Sequence, residues 1–246
     1  MLTFYPLARH RRNTPVRAVS ALALLLSTYL VSPGLVQLLS PSVLAGQPEY
    51  KGRKVAQVMG AAGADWLMRE DREKYEQPEK VLDALDIRRG MTIADVGAGN
   101  GYFTLRLARR VTSSGKVFAV DIQQPMLELL DERQKREGLT NIELVLGTPV
   151  DPKLPPATVD LALLVDVYHE FQRPEEMVTG IRAALKPAGV MVLVEYRGED
   201  ASVPIKPEHK MTVAQVLGEI EPMGFRLRKK LDFLPWQHIF IFEKAD

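Results

Sequence analysis

The sequence predicts an α/β fold built as a three-layer sandwich. Short apolar runs alternate with helical patterns along most of the chain, and two of these runs, Leu161 to Val165 and Val190 to Val194, carry no polar alternation. Runs of that kind are covered on both faces, as in the middle of a parallel sheet flanked by helices. A third observation is the glycine-rich stretch Gly97-Ala98-Gly99-Asn100-Gly101, placed directly after the first apolar run and before a helical pattern. Glycines there leave backbone N–H groups at a helix start open to a ligand.

The first residues read as an address. Arg9, His10, Arg11, Arg12 and Arg17 form a basic head, and Ala18 to Val31 is an apolar run ended by Pro33 and Gly34. Residues 1–45 are therefore expected to be a signal peptide, with Val43-Leu44-Ala45 before Gly46 as the cleavage point, or an N-terminal membrane anchor touching lipid through residues 18–44 if uncleaved. The expectation is an exported, periplasmic or membrane-anchored protein, with a cytoplasmic one as the alternative. Residues 46–77 read as a charged helical lead-in or lid, because Val55, Val58, Met59, Trp66 and Leu67 recur at helical spacing.

Residues 78–246 form the main domain. Pro78 starts a helix that runs to about Leu85 and is closed by Arg89-Gly90. Strand and helix then alternate: strand Thr92 to Val96, helix Tyr102 to Val111, strand Lys116 to Asp121, helix Pro125 to Glu137 and strand Ile142 to Leu146. Strand Val159 to Val167, helix Pro174 to Leu185, strand Val190 to Glu195 and helix Thr212 to Met223 continue the series. Arg226 to Phe233 and Gln237 to Glu243, joined by Leu234-Pro235-Trp236, suit a hairpin and hence an antiparallel last strand.

Composition narrows the chemistry. Lys plus Arg number 32 against 31 Asp plus Glu, so no global field points to nucleic acid, and none is expected as a partner. The chain has no cysteine, which removes disulfides and thiolate chemistry. No metal site is expected, since no two histidines share helix or strand spacing.

The glycine loop runs Gly-x-Gly-x-Gly, whereas a dinucleotide fingerprint needs Gly-x-Gly-x-x-Gly. Asp95 stands directly before it, where an acid disfavours a diphosphate and suits an amine or sulfonium. Asp121 ends the next strand, at the place of a ribose-binding carboxylate. The plainer alternatives are a helix-start cap for Asp95 and an N-cap for Asp121.

At these residues the sequence resembles the class I S-adenosylmethionine-dependent methyltransferases, in particular the broad bacterial set that includes quinone-biosynthesis enzymes. Ile93 to Gly101 resembles the cofactor loop, Asp121 the ribose acid, Asp160 to Asp166 the fourth strand, and Leu185-Lys186-Pro187-Ala188-Gly189 the turn before the fifth. The resemblance implies a Rossmann-like fold with a mostly parallel seven-stranded sheet and an antiparallel last strand. It also implies S-adenosyl-L-methionine as cofactor and methyl transfer to a small-molecule or lipid- or quinone-like acceptor. Asp95, Gly97, Ala98, Gly99, Gly101, Asp121, Ile122, Thr148 and Asp166 are the expected cofactor residues, with Ile122 against adenine and Thr148 where the family often has an Asp. Alternatives are a nicotinamide-dependent oxidoreductase and a non-catalytic module that binds the cofactor.

The acceptor is expected beyond the carboxyl ends of the strands, near Asp166-Val167-Tyr168-His169-Glu170 and Glu195-Tyr196-Arg197. His169 is the expected general base, with Glu170 orienting it and Tyr168 beside it. His169, His209 and His238 are all predicted on this side, although His209 and Lys210 read more readily as a solvated helix entrance than as catalytic groups.

Overall fold

A computed structural model describes residues 48–246, so the targeting segment expected over residues 1–45 lies outside the described residues. Among the described residues no helix is long and apolar enough to cross a membrane.

The lead-in departs from the helical reading. It opens with a two-stranded ribbon of β1 (Glu49–Tyr50) and β2 (Arg53–Lys54). Lys51 and Gly52 turn it with φ of 47° and 83°, a left-handed pair that no helix tolerates. An irregular stretch follows, then a 3-10 helix, Ala61–Met68, then α1 (Asp71–Tyr75). The apolar residues at helical spacing here do not share one helix face: Val55, Val58 and Met59 precede the 3-10 helix that carries Trp66 and Leu67.

The main domain follows the expected alternation. Its elements are α2 (Pro78–Ala84), β3 (Thr92–Val96), α3 (Thr104–Val111), β4 (Lys116–Asp121), α4 (Gln124–Arg136), β5 (Ile142–Leu146) and β6 (Val159–Val165). They continue with α5 (Pro174–Ala184), β7 (Leu185–Arg197), β8 (Lys210–Met211), α6 (Val213–Ile220), β9 (Phe225–Leu231) and β10 (Gln237–Lys244). The sheet runs β5-β4-β3-β6-β7-β10-β9, with the two-residue β8 pairing β7 beside it. The pairs β3–β4, β3–β6, β4–β5 and β6–β7 are parallel, and β10 is antiparallel to both β7 and β9. This order describes a Rossmann-like, mostly parallel sheet with an antiparallel last strand.

Period-two alternation divides each inner strand between two cores. Leu161, Leu163, Val192 and Val194 pack with Val81, Leu82, Leu107 and Val111 of α2 and α3. Ala162, Leu164, Met191 and Leu193 pack on the other face with Val178 and Ile181 of α5 and Val216 and Ile220 of α6. Strand β7 starts earlier than its apolar run because Leu185 pairs with Val159 across a register shift. Lys186 secures that extension by reaching Asp160 Oδ1 at 2.7 Å. The order of strands reverses between β3 and β6, and a ligand crevice is expected where the carboxyl ends of such strands part.

Candidate functional site

A cavity of about 510 Å³ opens at that crevice. The loop after β3 forms its floor. Gly97, with φ of 78°, stands so close to the segment after β6 that an added Cβ would lie 2.4 Å from Val167 Cγ2. An added Cβ on Gly99 would lie 2.9 Å from Leu67 Cδ1 of the lead-in. The Gly99 N–H donates to Asp121 Oδ2 at 2.8 Å, and the Gln123 N–H donates to Oδ1 at 2.9 Å. Burial raises the Asp121 carboxyl, and the amides pull against that shift. Beside it Ile122 is 38% exposed and lines the cavity, so it offers a bare apolar face next to an acid that can accept from ribose hydroxyls. A cradle without side chains, an acid and an apolar shelf in that order fit a nucleoside.

One end of the cavity is densely polar. Asp166 follows β6 with φ of 52°, and the Gln237 amide of β10 donates to both its oxygens at 2.9 and 2.8 Å. Its carboxyl is pushed well above the usual range by burial and then by the Glu76 and Glu195 charges. Glu76 is buried, takes a bond from Arg72 Nε at 2.6 Å, one from Tyr196 Oη at 3.1 Å, and one from Arg69 Nη2. The Arg72 guanidinium lies 3.8 Å above the Tyr102 ring. Acid and guanidinium on one wall match a zwitterionic amino-acid end.

The other polar group is a pair of histidines. His169 Nδ1 meets Glu195 Oε2 at 2.6 Å, and its Nε2 meets His209 Nδ1 at 3.2 Å. Burial opposes protonation of His169, but the carboxylates of Glu195, Glu170 and Asp166 together raise it. His209 is lowered by burial and by His169. Glu170, also on the cavity wall, is pushed up to about 7, mainly by burial.

Several expected residues stand elsewhere. Tyr168 is fully buried and turned away, its hydroxyl donating to Glu219 Oε2 at 2.9 Å, so it serves packing. Glu195, not Glu170, orients His169; the strand end of β7 faces the imidazole directly. Asp95 lies behind the loop, accepts from Thr104 Oγ1 at 2.6 Å and is pushed up to about 6 by burial. The helix-start reading of that acid is the one the geometry supports. Ala98 packs on Ala119 and Leu130, and an added Cβ on Gly101 would meet Leu130 Cγ at 2.7 Å, so both shape α4 packing and neither lines the cavity. The Thr148 hydroxyl faces Asp151 O at 3.4 Å inside its own turn, while Pro149 of that turn reaches the cavity. His238 is drawn off by Asp232 Oδ1 at 2.5 Å and by Glu199.

Gly97, Gly99, Asp121, Ile122, Asp166, His169 and Glu170 all line the cavity. Sequence reasoning missed Arg72 and Glu76, whose i, i+4 spacing signals only a helix ion pair.

Comparison with known proteins agrees with this geometry. The family described as methyltransferase domain matches residues 87–233, more than half of the chain. A solved S-adenosylmethionine-dependent methyltransferase from Aquifex aeolicus is 25% identical, with a TM-score of 0.71 over 75% of this chain and 98% of that one. A ubiquinone/menaquinone biosynthesis C-methyltransferase of Escherichia fergusonii is 28% identical over 116 residues, 47% of this chain and 46% of that protein. An uncharacterized 37.1 kDa protein in transposon TN4556 of Streptomyces fradiae is 33% identical over 115 residues, which is 33% of its length. The chain thus matches half or less of the length of these curated relatives.

Proposed function

The chain belongs to the methyltransferase-domain family of the class I, S-adenosylmethionine-dependent type, and on that premise we propose that it methylates a small acceptor with an apolar body. The observation that carries this reading is the floor of the cavity: the Gly97 and Gly99 cradle, Asp121 and the bare Ile122 in sequence. When bound, S-adenosylmethionine supplies an electrophilic methyl group on a sulfonium. Asp121 would hold the ribose hydroxyls, Ile122 would lie against the base, and Asp166 with Arg72 would face the amino-acid end.

The acceptor is assigned to the remaining space. Met59, Phe171, Met177, Pro204 and Ile205 line it with apolar surface, and His169, Glu170 and His209 are among the polar groups beside them. Displacement at a methyl group needs the acceptor held close, aligned and dry, which such a lining provides. A largely apolar ring system of quinone-like size suits these walls. The acceptor's proton leaves towards Glu170, because both ring nitrogens of His169 are already engaged by Glu195 and His209.

Residues 1–45 are proposed, from their basic head and apolar run alone, to carry the protein to or across a membrane. Protease protection in intact cells tests that placement: an unprocessed, fully shielded chain speaks against it.

Calorimetry with S-adenosylhomocysteine and with a nicotinamide dinucleotide tests the central reading. Heat from the first and none from the second is expected, followed by transfer of label from S-adenosylmethionine to members of a panel of apolar hydroxylated or quinol acceptors. Retention of the dinucleotide without any S-adenosylhomocysteine binding overturns the proposal. Binding without transfer to any acceptor leaves a cofactor-binding module in place of an enzyme.

A further inference from the structure

The geometry points to a divalent transition-metal site formed by His169, Glu170 and His209 on the acceptor wall. One ligand atom from each of the three lies within 4.8 Å of the others. The two imidazole nitrogens face each other at 3.2 Å, His169 Nε2 to His209 Nδ1. Tetrahedral zinc with Zn–N bonds of about 2.0–2.1 Å sets its nitrogen ligands roughly 3.3 Å apart, so the pair already stands at ligand spacing.

The outer contacts are those of a metal-bound histidine. His169 Nδ1 is tied to the Glu195 carboxylate at 2.6 Å, and Glu195 is itself held by the Tyr168 N–H at 3.0 Å. Such a carboxylate fixes the tautomer and aims the Nε2 lone pair at the metal. Sequence spacing gave no hint of it, because the two histidines are 40 positions apart and meet only when the 3-10 turns at Tyr168–Glu170 and Pro207–His209 close on one another. The expectation of no metal is revised accordingly.

Two imidazoles and one carboxylate select zinc-like ions over magnesium, which prefers all-oxygen sites. Three protein ligands leave a position open towards the cavity, as in catalytic zinc sites. The role of the ion rests on the methyltransferase reading: it narrows the acceptor to one that reacts through oxygen. An ion held there would bind an acceptor hydroxyl and make it more acidic, with the second oxygen of Glu170 placed to take its proton. That acceptor oxygen then forms its bond to the methyl carbon while the carbon–sulfur bond breaks and its electron pair stays on sulfur.

The test uses the purified full chain after chelator treatment, titrated separately with Zn²⁺, Mg²⁺ and S-adenosylhomocysteine by calorimetry, with melting followed in parallel. One Zn²⁺ per chain, a raised melting temperature and little response to Mg²⁺ are expected. His209→Ala and Glu170→Gln are each expected to weaken Zn²⁺ at least tenfold while S-adenosylhomocysteine affinity stays within about threefold. If the alanine variant does not fold, Co²⁺ added to the wild-type chain supplies the readout through the visible bands of a nitrogen-ligated ion. Bound S-adenosylhomocysteine with no Zn²⁺, or Zn²⁺ held equally by both variants, overturns the metal site and leaves the methyltransferase reading intact. Zn²⁺ bound without S-adenosylhomocysteine supports the site and removes its assigned role.

Discussion

Gly97 holds the narrowest passage in the site. A methyl group there would meet Val167 Cγ2 at 2.4 Å in a left-handed backbone, and neither neighbour is free to move because both follow inner strands. Gly97→Ala is expected to destabilise the protein by roughly 1–3 kcal/mol and to weaken S-adenosylhomocysteine more than tenfold, read by urea unfolding and calorimetry. Asp95 makes a different prediction. Its folded pKa, about 6 against an ordinary 3.8, is raised by burial and by Asp121 and held back by Thr104 and Arg72. The folded chain therefore binds this proton more tightly than the unfolded chain, and stability falls as pH rises from about 4 through about 6. Two units correspond to on the order of 3 kcal/mol. Unfolding curves at several pH values should show this component in the wild type and its loss in Asp95→Asn. The sequence marked Asp95 as a cofactor acid because it cannot show on which side of a loop a carboxylate falls. Asp121 does line the cavity, because the carboxyl end of β4 opens into the crevice.

At the scale of elements, regular strands were legible and the lead-in was not. Buried strands such as β6 and β7 have an apolar signal that burial itself produces, so pattern and structure share a cause. The stretch from Glu49 to Tyr75 is shaped by distant partners. The Gln123 amide donates to Met59 O at 2.8 Å, and the Asn100 amide donates to Ala64 O at 2.9 Å. Local periodicity has no access to such bonds. The Tyr75 ring also stacks on Trp236, centroids 3.8 Å apart and planes at 6°, joining α1 to the β9–β10 turn. Trp236→Ala is expected to speed hydrogen exchange across residues 61–77 while amides of the inner strands keep their protection, measured by mass spectrometry.

On the whole-molecule scale, one buried ion pair fastens the ribbon to the opposite layer. Arg53 Nε meets Glu219 Oε1 of α6 at 2.8 Å, both side chains almost fully buried, and Tyr168 completes the cluster. Glu219→Ala leaves the guanidinium buried without its partner and is expected to cost roughly 3–5 kcal/mol, visible as a lowered urea midpoint. The layer count and the antiparallel last strand were readable from the alternation and the closing hairpin, whereas the order of the strands came only with the structure. The histidines were placed on one side from the sequence, but the contact of His169 with His209, and the approach of the Arg72–Glu76 pair to Asp166, were not, because only the finished fold sets those distances.

The lead-in lies over the glycine floor, with Leu67 lodged where a side chain on Gly99 would go. On the proposed reading, a cofactor seated on that floor lies beneath Leu67 and the bonds at Met59 and Ala64, so the stretch that lends Arg72 to binding also stands over the way out. Loosening it would hasten product release and admit water, and the enzyme's speed and its dryness are thereby set against each other in one short stretch of chain.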